Sequence, residues 1–151
     1  MAFLFPVFIL LHILFAAAWF GMGLRLATQA RTVLSLERGA ALALADDVAR
    51  TIRFMGIFIV LTLVFAFGAL GAGGGYVGQP QYHMASLLIV ILVVLQYALI
   101  GPSWKKLRAA IEAGTDAEAF RKRVAMSVGI GHLLWFVMLV LMEWKRFSGL
   151  F

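Results

Sequence analysis

Three histidines, His12, His83 and His132, are the residues of this 151-residue chain best suited to chemistry, and each lies in or beside a long apolar run. An ionisable ring inside such a run marks a candidate site, because a polar group in hydrocarbon is retained only at a cost. With the outer boundary set near Met1 and Trp144, a helical rise of about 1.5 Å per residue puts His12 roughly 16 Å deep and His132 roughly 18 Å deep. His83 then begins its own helix at the outer surface. Two uncharged imidazoles at one level can grip a haem iron from both sides. The expected metal ligands are therefore His12 and His132, with His83 as the alternative.

The neighbours of these two histidines suit a flat macrocycle. One face of the first apolar segment carries His12, Ala16, Trp19 and Gly23, and Gly129 and Gly131 stand beside His132. Small residues leave room, and Trp19 and Trp135 supply apolar walls, so Trp19, Gly23, Gly129 and Trp135 join the expected haem b cradle. The competing reading is structural, with each imidazole bonded to a backbone carbonyl or to a polar neighbour such as Ser127, Gln96 or Tyr97. Copper is a weaker expectation. Met22, Met84, Met126, Met138 and Met142 offer thioethers that suit the reduced ion, yet methionine is also an ordinary apolar filler. Cysteine is absent, which removes disulfides, thiolate metal sites and a thiol nucleophile. No serine stands beside a base, no Gly-rich phosphate loop opens a helix and no carboxylate pair lies in an apolar run, so hydrolase and nucleotide-driven readings lack residues.

These rings have to be positioned by helices set in lipid. Hydrophobic residues make up 64% of the chain and charged residues 13%, a balance that a water-exposed surface could hardly accommodate. Four stretches reach the roughly twenty apolar residues needed to cross a bilayer: about 2–24, 54–72, 84–100 and 124–142. None contains Lys, Arg, Asp or Glu. They are apolar on every face, which excludes the alternation of a barrel strand. The first is of full spanning length with no basic residue before Arg25, the pattern of a span rather than of an export signal. The expected fold is all-α, an integral membrane four-helix up-down bundle forming a single domain over 1–151.

Charge sets the expected orientation. Eleven of the thirteen basic residues fall in two segments, Arg25 to Arg53 and Lys105 to Arg123. Basic segments are retained in the cytoplasm, so both termini are expected outside a bacterial-type inner membrane. The net charge of +6 therefore speaks for membrane topology and against nucleic acid. Gly39 to Arg53 is expected to extend the second helix beyond the membrane, and Trp104 to Ala113 the third, with a turn at Gly114 and a new helix capped near Thr115 or Asp116. Trp104 on one side, with Tyr76, Tyr82 and Trp144 on the other, are expected as interfacial anchors. Ala17 with Gly21, and Gly68 with Ala72, have the small-xxx-small spacing of closely approaching helices, within one bundle or between two copies.

From His12 to Gly23 the chain reads HILFAAAWFGMG. This resembles the first helix of the HemJ-type protoporphyrinogen oxidases and the related CopD-like four-helix membrane proteins, whose pattern H-x6-W-F-x-G is matched by His12, Trp19, Phe20 and Gly23. The third segment is similar to that family's third helix, which opens on a histidine, here His83, and closes in a basic stretch, here Lys105 to Arg108. Two positions after that histidine the family carries a lysine, and this chain has Ala85. The residues and the resemblance together imply a b-type haem protein passing electrons between quinone or a membrane redox partner. The alternatives are a protoporphyrinogen-oxidising enzyme with porphyrin as substrate, and a copper-handling or structural membrane subunit. A homodimer is a further possible assembly.

Overall fold

A computed structural model describes residues 3–73 and 78–148. Its helices are α1 (Leu4–Ser35), α2 (Arg38–Ala72), α3 (Pro80–Leu95), a five-residue π segment (Gln96–Ile100), α4 (Gly101–Ala113) and α5 (Glu118–Ser148). The π segment joins α3 to α4 without a break, so the chain forms four long helices, each long and apolar enough to cross a membrane. Contacts run from α1 to α2, from α2 to α3 and α4, from these to α5, and from α5 back to α1, closing a four-helix bundle. Residues such as Leu10, Phe54, Leu87 and Leu133 are exposed around its outside. That surface suits acyl chains rather than water.

The helices outrun the apolar stretches at the basic end. The segment between the first two apolar stretches is helical almost throughout, and only Leu36 and Glu37 separate α1 from α2. Residues 39–53 extend α2 as the sequence implies. The turn after α4 also forms, with Gly114 in the left-handed region at φ 68°, a conformation that favours glycine. Asp116 Oδ1 accepts a hydrogen bond from the Glu118 amide and so caps the start of α5. Two of the expected interfacial anchors behave differently. Trp104 is 1% exposed and donates from Nε1 to the Ala45 carbonyl, pinning α4 to α2 inside the bundle. Tyr82 is half-buried and lines the interior, whereas Trp144, at the same end of the bundle, is exposed. Tyr76 lies outside the described residues.

Glycines set how closely the helices approach. A Cβ built at Gly23 would stand 2.7 Å from His132 Nε2, one at Gly131 2.9 Å from the Trp19 ring, one at Gly56 3.0 Å from the Tyr97 hydroxyl, and one at Gly68 3.2 Å from the Phe8 ring. Each is a notch that receives an aromatic or imidazole ring from the next helix. Gly68 thus serves packing within the bundle. Ala17 and Gly21 are exposed and nothing lies near Gly21, so that pair joins no helices within the chain.

Buried residues concentrate toward the basic end. Trp19, Leu26, Ala30 and Val33 of α1 meet Ala45, Val48, Ile52 and Met55 of α2, with Leu92, Ile100, Trp104 and Leu107 closing the core. Beyond Trp19 toward the amino terminus, α1 has no buried residue among those described. The core is therefore densest in the basic half and thinner in the other, where Ile59, Ala85, Ile89 and Met138 are buried but α1 contributes none. At the basic tip, Arg108 bridges Asp46 of α2 at 2.6 Å and Glu112 of its own helix at 2.6 Å. Arg38 donates to the Glu112 carbonyl and draws the start of α2 onto the end of α4.

Two outcomes follow from this packing. Gly131→Ala, which collides with the indole of Trp19, is expected to destabilise the detergent-solubilised protein by about 1–3 kcal/mol, the usual cost of overpacking. Gly129→Ala, on an open face, is expected to be neutral or to stabilise by up to about 1 kcal/mol through helix propensity; thermal unfolding of the two variants side by side distinguishes them. The second outcome concerns acid. Hydrogen bonds from the Arg108 guanidinium hold the Asp46 carboxyl below its ordinary range. The stabilisation from this pair is complete above about pH 4 and is lost as pH falls through the lowered value. Melting temperature should therefore fall more between pH 7 and acid in the wild type than in Asp46→Asn, and equal slopes would contradict the role given to the pair.

Candidate functional site

The more thinly packed half of the bundle holds a cleft of about 480 Å³ among α1, α2, α3 and α5. Its walls are apolar, with Phe5, Ile9 and Ile13 from α1, Ala66, Ala69 and Leu70 from α2, and Ala85 and Ile89 from α3. Four polar side chains line it: His12, Tyr82, Ser86 and Glu143. Predominantly apolar walls with a few convergent polar groups, in a volume of a few hundred Å³, are the usual make-up of a small-molecule site.

His12 is held at the cleft by α2. Its Nδ1 lies 2.9 Å from the Thr62 carbonyl oxygen. A carbonyl only accepts, so Nδ1 carries the proton and the electron pair of the ring is on Nε2. The Thr62 hydroxyl turns away to donate to the Phe58 carbonyl at 2.7 Å. A histidine whose first nitrogen is fixed on a backbone carbonyl and whose second is left with a lone pair has the arrangement found in metal-bound imidazoles.

His132 belongs to a different level. Its ring packs between Trp19 and Phe20, with centroids 6.1 and 4.7 Å away, and its Nε2 sits over Gly23. Gly23 is eleven residues beyond His12, or roughly 16 Å along the helix axis. The opposite side of the interface gives a matching offset, since His12 shares the cleft with Met142 and Glu143 of α5, ten and eleven residues beyond His132. The two imidazoles expected to meet on one iron are thus not brought together. The depth estimate fails because it aligned Met1 with Trp144, whereas α1 slides along α5 until His12 faces Glu143. His132 Nε2 is itself buried, at the level of Gly23.

The other expected cradle residues follow α5 and α1 into packing. Trp19 is 1% exposed and its indole fills the notch at Gly131. Its Nε1 donates to Gln96 Oε1 at 3.1 Å, and Gln96 Nε2 donates in turn to the Ile52 carbonyl at 3.1 Å, tying α1, the π segment and α2 through the core. The π segment brings this about. Pro102 has no amide proton to continue the ladder, and the Gly101 amide reaches back five residues to the Gln96 carbonyl. Trp135 is half-buried and packs at a tilt against Phe20, with centroids 4.4 Å apart. Gly129 is exposed. His83 is exposed in the first turn of α3, beside Tyr82.

Among the described residues no three His, Cys, Asp or Glu side chains gather as a metal-binding group. Of the copper candidates, Met138 is buried, Met142 lines the cleft, and Met84 and Met126 are exposed. Glu143 is the cleft residue that the sequence reading passes over. A signal for it exists, because Glu143 is the single acidic residue outside the two basic segments and their surroundings. Comparisons with protein-family models, with curated proteins and with solved structures find no match.

The Gln96 bridge carries its own test. Gln96→Leu leaves the buried Trp19 Nε1–H without an acceptor, which is expected to cost about 1–3 kcal/mol. Chemical or thermal unfolding in detergent measures it, and an unchanged midpoint would show that the bridge contributes nothing.

Proposed function

We propose that this chain is a multi-pass protein of the cytoplasmic membrane, its basic end in the cytoplasm, and that it is a haem-dependent oxidoreductase using the outer cleft. The observation that carries the reading is the imidazole of His12, fixed through Nδ1 on the Thr62 carbonyl and lining an apolar cleft of about 480 Å³. His12 Nε2 would hold the iron. Phe5, Ile9, Ile13, Leu70 and Ile89 exclude water from the macrocycle, and Tyr82 and Ser86 offer hydrogen bonds to its edge. The resemblance of His12, Trp19, Phe20 and Gly23 to the HemJ and CopD-like pattern supports a tetrapyrrole as occupant, with Trp19 and Gly23 locking α1 in register rather than touching the ligand.

Haem bound here would supply one-electron redox chemistry. With His12 as the one imidazole at the cleft among the described residues, haem held there would supply reaction with a small oxidant rather than the electron relay expected of two imidazoles. The electron source is a lipid-soluble reductant reaching the cleft from the bilayer, a quinol or a reduced porphyrin. For the porphyrin, Glu143 takes the place of a base inside the cleft. Ala85 lines that same cleft at the position where the oxidase family has lysine, so this chain works without the cation at that point.

The two histidines separate under one experiment. Protein purified from haem-replete cells should show a reducible b-type absorption that His12→Ala abolishes and His132→Ala retains. Loss of the spectrum in His132→Ala with retention in His12→Ala would overturn the assignment, as would a wild-type protein that takes up no haem.

A further inference from the structure

Charge begins at different heights on the two sides of the bundle. At the basic end, Gly23 of α1 meets Met55 of α2. Arg25 and Arg53, each two residues nearer that end, therefore stand at one level, and they are the first charges met on their helices from the outer side. Gly23 also meets His132 of α5. From His132 toward the basic end the first charge is Arg123, nine residues on and so seven beyond the level of Arg25. On the remaining helix, Trp104 is level with Ala45 through its hydrogen bond, eight residues beyond Arg53, and the first charge is Lys105 beside it. The uncharged stretches of the joined α3 and α4 and of α5 thus reach about eight residues, roughly 12 Å, further toward the basic end than those of α1 and α2. The outer end is displaced in the same sense. Glu143 shares the cleft with His12, and His12 bonds the Thr62 carbonyl. Beyond that level α1 continues without charge for eight residues to Leu4, and α2 for ten to Ala72.

Each helix pair therefore carries an uncharged belt of about twenty residues, close to the roughly 30 Å of a bilayer core. The two belts are out of step by roughly 12 Å. Because α1 packs mainly on α2, and α3 on α5, the step runs from one face of the bundle to the other. A bilayer lying square across the helices would either hold Arg25 and Arg53 in hydrocarbon or leave the exposed Met126 and Ile130 of α5 in water. Charge in the hydrocarbon is costly, and so is apolar surface in water. Spread over two helix diameters, about 20 Å, such a step is removed by an inclination of about 30°, within the range of transmembrane helices. We propose that the lipid-facing belt of this protein is oblique, the bundle axis leaning about 30° from the bilayer normal so that both belts fall in one plane. The proposal rests on the membrane reading given above. It places the cleft across the outer boundary of the bilayer, with its Phe5, Ile9 and Leu70 wall in hydrocarbon and Tyr82 and Glu143 at the level of the headgroups. An amphiphilic occupant then enters sideways from the outer leaflet, its apolar body first against α1 and α2 and its polar end left at the water boundary.

Depth measurements on single spin labels test this without reference to haem. Two pairs of exposed residues share a level to within one residue: Leu10 with Trp144 toward the outer end, and Thr28 with Met126 toward the basic end. Each is replaced singly by cysteine, labelled and reconstituted in phosphatidylcholine and phosphatidylglycerol liposomes, and its depth is read from collisions with oxygen against a water-soluble nickel chelate. The Leu10→Cys label should lie about 10 Å deeper in hydrocarbon than the Trp144→Cys label, and the Met126→Cys label about 10 Å deeper than the Thr28→Cys label. Equal depths within both pairs would overturn the oblique belt and leave the membrane reading standing. A difference in one pair alone would also overturn it, since that reports a local dimple in the bilayer rather than a lean of the whole bundle. Four labels all open to the chelate would remove the membrane reading itself, and the proposal with it.

Discussion

The sliding register of α1 against α5 is the constraint on which the rest depends. It is set by rings in notches, His132 over Gly23 and Trp19 over Gly131, with the Trp135 and Phe20 rings in contact. An apolar helix in lipid gains little from hydrophobic burial against another helix, so close packing and interhelical hydrogen bonds have to fix its position. Once these rings are seated, His12 must face Glu143 and His132 must lie three turns away. One helix pair thereby creates two separate environments, an apolar cleft around His12 and a packed interface around His132.

The bundle spends its good packing unevenly. Trp19, Gln96 and the Ile52 carbonyl form a polar brace across the middle, and nearly all fully buried side chains lie between that brace and the basic tip. Beyond the brace buried residues are fewer, Ile59, Ala85 and Ile89 among them, and the helices enclose the cleft. A tight half that holds the helices and a looser half with a cleft is a workable division for a small bundle of helices long and apolar enough to cross a membrane, because an apolar ligand could complete the packing.

Much of the fold was legible in the sequence. The four apolar runs, the charge-free spans, the extension of α2 through Gly39 to Arg53 and the turn at Gly114 all follow from composition, period and cap residues. The cleft was only half legible. His12 stood out as an ionisable group in an apolar run, but Thr62, which holds it, contributes a backbone carbonyl that no side-chain pattern reveals. The pairing of His12 with His132 was unreachable from depth alone, since helix ends do not mark a common plane when helices run beyond the membrane by different lengths. The same reasoning misled at Trp104, whose place near a charged segment resembled an interfacial anchor while its indole turned inward to Ala45. Side-chain direction is decided by the neighbouring helix, and a single helix does not encode it.

The register itself admits a direct measurement, helped by the absence of native cysteine. A short thiol crosslinker applied in membranes to His12→Cys with Glu143→Cys, and separately to His12→Cys with His132→Cys, compares the two alignments. Efficient crosslinking of the first pair with none of the second is expected; crosslinking of the second pair in place of the first would contradict the account at its root.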